Sequence, residues 1–408
     1  MQLIEGQILE VSTAYAPDQI FAPESPRDRP LPRVFISPQR YIQGPRVLEE
    51  IGRYLSLLPA TRVALLMSRR GSQNEGMRLR EALRLEGIED VLCLFEGECS
   101  LDEITTHADA LTTERIDCVI ALGGGKCIDA GKAIAFRLDC PIVVVPTLAS
   151  NDAPCSAVSI LYTPEGVSAG VEFFPTNPAI VVVDTEIVAL APERFLVAGM
   201  GDAMATWYEA RICLLNPKAV TTMGARPTLA SAAIGETCAR TLFEQGTAAA
   251  AAVAANTIDE SLEAIVEANT LLSGLGFESG GLAAARAIAQ GYTTHSGVQR
   301  NYLHGELVAM GTLTQLLMEG RPEEADKVAR FFASVGLPIH LGQLSLDEAD
   351  RGSLEQIAEA ALEFPFIGNM PIPVGAEGIR GAMMHAHQLG RRVAADVGDE
   401  SYRRLRED

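Results

Sequence analysis

Cys118-Val119-Ile120-Ala121-Leu122-Gly123-Gly124-Gly125-Lys126-Cys127-Ile128-Asp129 decides the fold. Five apolar, partly β-branched residues read as a buried strand. Three glycines make a turn, and the continuation through Ala130-Gly131-Lys132-Ala133-Ile134-Ala135 is a good helix. Without side chains, the glycine turn lets backbone N–H groups approach an anion at the N-terminus of a helix, where the dipole adds positive potential. A tight turn alone would also explain the glycines, and the spaced Gly-x-Gly-x-x-Gly fingerprint is absent.

The same rhythm extends outward from this unit. Val63–Met67 and Val91–Phe95 precede it, with a charged amphipathic segment near 76–86 between them, and Ile142–Val145 and Ile180–Asp184 follow. Short apolar strands alternating with helices predict a parallel sheet covered on both faces. Beyond Asp184 strand signals stop, and Ala-, Leu- and Glu-rich periodic segments predict helices to the end. The expected fold is therefore an α/β dinucleotide-binding domain over 33–190 and an all-helical domain over 191–408. A Pro-rich stretch, Pro23–Pro32, closes an extended N-terminal arm of residues 1–32.

At 408 residues the chain exceeds one comfortable core, which agrees with two domains. Its formal net charge of -20 argues against nucleic acid or an anionic membrane surface as a partner. The N-terminus lacks a secretory pattern and no apolar run is long enough to span a bilayer, so a cytoplasmic location is expected. The eight cysteines contain no Cys-x-x-Cys pair, which points to buried thiols rather than a zinc ribbon or redox motif.

A second loop, Pro146-Thr147-Leu148-Ala149-Ser150-Asn151-Asp152-Ala153-Pro154-Cys155-Ser156-Ala157-Val158-Ser159, also follows a strand and gathers hydroxyls around a carboxylate. Further on come Gly199-Met200-Gly201-Asp202-Ala203-Met204-Ala205-Thr206-Trp207-Tyr208-Glu209, Gly274–Ala285 followed by Arg286, and Tyr302-Leu303-His304-Gly305-Glu306. In this order the segments resemble the glycerol dehydrogenase branch of the iron-containing (group III) alcohol dehydrogenase family, from Ser37 to the helical C-terminus.

The resemblance implies NAD(P)-linked oxidation of a small polyol or secondary alcohol, glycerol to dihydroxyacetone being the type reaction, and a homo-oligomer. The dinucleotide is expected against Gly124, Gly125, Lys126, Asp129, Thr147, Ser150, Ser156, Val158 and Tyr162, with Asp152 facing the substrate hydroxyls as acceptor. In the NAD-using relatives the strand matching Val63–Met67 ends in an aspartate that can hold the ribose diol. Here Ser68-Arg69-Arg70 follows, so Ser68 and Arg69 admit a ribose phosphate and NADP stands beside NAD.

Asp202 and His304 match two of the family's zinc ligands, and the third position is Arg286, which offers no lone pair and brings its own charge. Three readings stay open: His295 swings in as a substitute ligand; Arg286 pairs with Asp202 as a built-in cation; or the site is catalytically impaired and only binds nucleotide. Asp152, Asp202, Arg286 and His304 are thus the expected catalytic set. An arginine that clamps a hydroxy acid, and lyase chemistry of the dehydroquinate synthase type, are further variants. His107, His340, His385 and His387 are expected to be structural.

Overall fold

A computed structural model describes residues 15–21 and 30–407; the rest of the expected arm, 1–14 and 22–29, lies outside the described residues. Six strands form one parallel sheet: β1 (Tyr41–Gly44), β2 (Arg62–Met67), β3 (Glu89–Leu94), β4 (Cys118–Gly123), β5 (Ile142–Pro146) and β8 (Ile180–Asp184), in the order β1-β8-β5-β4-β2-β3. Strands β6 (Val158–Tyr162) and β7 (Ser168–Phe173) make a separate antiparallel pair after the second loop.

Alternate residues of the central strands enter different cores. Ala64, Leu66, Val119, Ala121 and Val144 pack into one, and Val63, Leu65, Met67, Ile120, Val143 and Val145 into the other. Burial on both faces is why these strands read as unbroken apolar runs. The Gly125–Arg137 helix lies close on the sheet at Gly131, where a Cβ would collide with Ala121.

The strand order places the binding crevice. From β2 the chain moves outward to β3, whereas from β4 it moves the other way to β5. The register pairs Met67 with Leu122 and Gly123 with Pro146. Ser68, Gly124 and Thr147 therefore sit side by side at the carboxyl edge, where the order reverses and where open parallel sheets bind ligands.

From Thr185 onward the described chain is helical, as expected. The Glu193–Leu215 and His304–Met318 helices cross in backbone contact: a Cβ on Gly201 would strike the Gly305 carbonyl, and one on Gly305 the Ala198 carbonyl. Larger residues would separate the helices that carry Asp202 and His304. The described end of the arm and the residues just after it run along this helical part, with Pro32 accepting from Arg226 N–H at 2.8 Å and Ile36 N–H bonded to Ser279 Oγ at 3.0 Å.

Candidate active site

Asp152 arrives on the loop after β5, Asp202 on the Glu193–Leu215 helix, Arg286 on the Ala284–Tyr292 helix and His304 at the start of its own. The structure brings these four expected residues together. Arg286 Nη2 lies 2.6 Å from Asp152 Oδ2 and 3.0 Å from Asp202 Oδ1, and His304 Nε2 is 3.6 Å from the same Oδ1. The Asp152 N–H donates to Asp202 Oδ2 at 3.3 Å. The His304 side chain is 53% exposed while Asp202 is fully buried, so the cluster opens on the histidine side.

Sequence reading missed three partners. Glu209 accepts from Arg286 Nη1 at 2.6 Å, Ser273 Oγ donates to Asp152 Oδ2 at 2.8 Å, and Thr206 Oγ1 lies 3.3 Å from Arg286 Nη2. A signal for two of them was present: Asp202, Thr206 and Glu209 recur at spacings of four and three, which places them on one helix face. Ser273 follows a π turn, Ala268–Leu272, a distortion frequent at functional sites. From that turn Asn269 donates to Ala149 O and Leu196 O, tying the loop after β5 to the helical part.

Three carboxylates share one guanidinium here. Burial alone would lower the Arg286 pKa, but Asp202, Asp152 and Glu209 outweigh it and hold it raised. Asp152 is pushed well above the ordinary carboxylate range by desolvation first and then by the Asp202 charge, against the pull of Arg286 and Ser273.

The expected dinucleotide residues divide into two groups. Gly124 and Gly125 open the 125–137 helix at the crevice, with Gly125 so close to Asn151 that a Cβ would lie 2.9 Å from its amide. Lys126 pairs with Glu98 at 2.6 Å and lies over the Tyr162 ring, while Val158 and Tyr162 are partly exposed on β6. Thr147 follows β5, and Ser150 stands half-buried two residues before Asp152. Ser68 Oγ caps the Arg69–Gln73 helix by accepting from Gly71 N–H, and Arg69 is exposed beside Glu96 at 3.5 Å.

Asp129 and Ser156 instead face inward, toward Lys132. That buried ammonium donates to Asp129 Oδ1 at 3.0 Å, Ser156 Oγ at 3.2 Å, Ala153 O at 2.7 Å and Val158 O at 2.7 Å. Glu278, also buried, receives Ala157 N–H at 2.7 Å and Asn177 Nδ2 at 2.6 Å. Both devices fasten the loop that carries Asp152.

Known proteins match this chain along most of its length. The model of the family described as iron-containing alcohol dehydrogenase matches residues 38–185. Glycerol dehydrogenase of Escherichia coli O6:H1 is 41% identical over 362 residues, 88% of this chain and 98% of that protein. The chain belongs to the glycerol dehydrogenase branch of the iron-containing alcohol dehydrogenase family. Glycerol dehydrogenase of Thermotoga maritima is 46% identical over 73% of this chain and 82% of its own. The crystal structure of glycerol dehydrogenase from Schizosaccharomyces pombe superposes with a TM-score of 0.85 at 33% identity, covering 90% of this chain and 93% of that one. By family the protein is an alcohol dehydrogenase, an enzyme of the oxidoreductase class.

Membership in an iron-containing family raises the question of a metal, and these residues do not fit one. Asp202 Oδ1 is enclosed without a well-aligned hydrogen bond, as an ion's ligand would be, but its nearest cation is the Arg286 guanidinium. Arg286 offers no lone pair to an ion and its guanidinium already occupies the space in front of Asp202 Oδ1, 3.0 Å away. Among the described residues no group of three or more His, Cys, Asp or Glu is disposed to hold an ion, so His295 does not complete a set with Asp202 and His304. Three of the other histidines have local partners: His107 lies 3.3 Å from Glu103, and His340 and His387 stack edge to face. No helix among the described residues is long and apolar enough to cross a membrane.

Proposed function

We propose that the protein catalyses reversible hydride transfer between a nicotinamide dinucleotide, NAD or NADP, and a small polyol or secondary alcohol of the glycerol/dihydroxyacetone type. The observation that carries this reading is the convergence of Asp152, Asp202, Arg286 and His304 in one cluster, with Asp152 on the loop that leaves the carboxyl edge of the sheet after Thr147. Relatives named glycerol dehydrogenase, and a glycolaldehyde reductase 38% identical, support the substrate class.

In this reading Gly124, Gly125 and Lys126 hold the pyrophosphate against the helix N-terminus. Asp152 accepts a hydrogen bond from a substrate hydroxyl. A bound nicotinamide would take the hydride from the alcohol carbon, the hydroxyl proton would pass to the exposed imidazole of His304 and on to solvent, and the fixed charge of Arg286 would stabilise the oxygen. In reverse the same charge polarises the carbonyl. The hydroxy-acid variant is less well supported, because both Nη atoms of Arg286 are already committed to protein carboxylates and leave no free fork for a substrate carboxylate.

The exposed Arg69 keeps NADP in the reading beside NAD, and a cytoplasmic homo-oligomer with no nucleic-acid or membrane partner completes it. Steady-state turnover of glycerol and related diols with NAD and with NADP, on chelator-treated protein, tests the proposal. Turnover with either cofactor is expected. Dinucleotide binding without turnover of any alcohol tried would instead identify a catalytically impaired relative.

A further inference from the structure

Glu209 does more than neutralise charge. Its Oε1 accepts main-chain N–H groups from Ala283 at 2.8 Å and Arg286 at 3.1 Å, holding the start of the Ala284–Tyr292 helix. Its Oε2 accepts from Arg286 Nη1 at 2.6 Å. The carboxylate is fully buried, two helical turns beyond Asp202 on the same helix. The side chain at 286 is therefore held between two fixed acids, Glu209 behind it and Asp202 in front. The backbone bonds to Oε1 do not depend on which side chain occupies 286, whereas the bond to Oε2 does.

We infer that Glu209 is the positioning residue of this site: it fixes whichever side chain stands at 286, and in this chain it holds a guanidinium where the family's third metal ligand would be, so that the protein works without a divalent ion. The inference rests on reading Arg286 as the cation of the proposed active site. A carboxylate behind a ring nitrogen is also how proteins orient a metal-binding histidine. One substitution, Arg286→His, should therefore turn the cluster into an ion site with Asp202 and His304, and Glu209 should tune it.

The experiment is a zinc titration by calorimetry, with chelator competition, on three full-length proteins: the native chain, Arg286→His, and Arg286→His/Glu209→Gln. Native protein is expected to take up no zinc specifically, and Arg286→His about one ion per chain. Loss of the Glu209 charge is expected to weaken that affinity roughly 10–100-fold. Stoichiometric zinc on the native chain, no zinc on a folded Arg286→His variant, or equal affinity with and without the Glu209 charge would each overturn the inference.

Should Arg286→His fail to fold, Glu209→Gln in the native background decides. A kcat lowered about 10-fold with an unchanged KM for the dinucleotide supports the positioning role, and an unchanged kcat sinks it. Absence of turnover in the native protein would remove the proposed activity while leaving the zinc titration to stand or fall separately.

Discussion

Two buried cations, Lys132 and Arg286, sit on either side of the loop that carries Asp152, and they are solvated in opposite ways. Lys132 spends its charge on two backbone carbonyls, a hydroxyl and one carboxylate. That cluster is balanced, and its function is to fasten the loop to the Gly125–Arg137 helix. Arg286 faces three carboxylates and, among the described residues, its one carbonyl contact is Asp202 O at 3.4 Å. That cluster holds excess negative charge in a low-dielectric setting, where a change in ligand charge has a large effect. A satisfied cation gives rigidity; an over-coordinated one, beside a half-open histidine, is where the proposed function puts the chemistry.

The sharpest way to break the comparison is Lys132→Met. Removing one partner strands buried Asp129 and two carbonyls, so a loss of about 3–5 kcal/mol in urea-unfolding stability is expected. A change below 1 kcal/mol would show that the cluster is not a fastener. Arg286→Lys comes next: a single ammonium cannot bridge Glu209 and Asp152 as the fork does. We expect kcat to fall about 100-fold, equivalent to about 2.7 kcal/mol, with stability little changed. If stability falls instead and kcat holds, the two cations have the same role.

Glu278 gives a pH test of the fastener. Burial first, opposed by its Ala157 and Asn177 donors, pushes its carboxyl from 4.5 up to about 7. Between those values the folded chain keeps a proton that the unfolded chain has released. Its contribution is therefore complete below pH 4.5 and lost as pH rises through 7, with a slope of at most about 1.4 kcal/mol per pH unit. Stability measured from pH 5 to 7 should slope less in Glu278→Gln than in the native protein. The smallest effect belongs to Glu96→Gln. The Arg69–Glu96 pair is about 70% exposed on both sides, and its loss should move stability by no more than about 0.5 kcal/mol. A lower KM for NADP in that variant, with the KM for NAD unchanged, would show Arg69 facing a ribose phosphate.

The sequence by itself determined the elements and the family. Val63–Met67, Cys118–Leu122, Ile142–Val145 and Ile180–Asp184 announce buried parallel strands because both faces of such strands must be apolar. Asp152, Asp202, Arg286 and His304 were legible because the motifs around them are local. The tertiary structure decided what those residues do for one another. Lys132 looked like an ordinary helix residue, and Asp129 and Ser156 were read only as dinucleotide residues, so that their shared bonds to the buried Lys132 ammonium came into view only with the fold. Glu209 stayed hidden although its spacing from Asp202 was visible, since its partner lies 77 residues away in the chain. Periodicity reports which way a side chain faces along its own element. Which charge it meets there depends on close crossings such as Gly201 against Gly305, where contact between distant segments sets the local dielectric and the distances over which charges act.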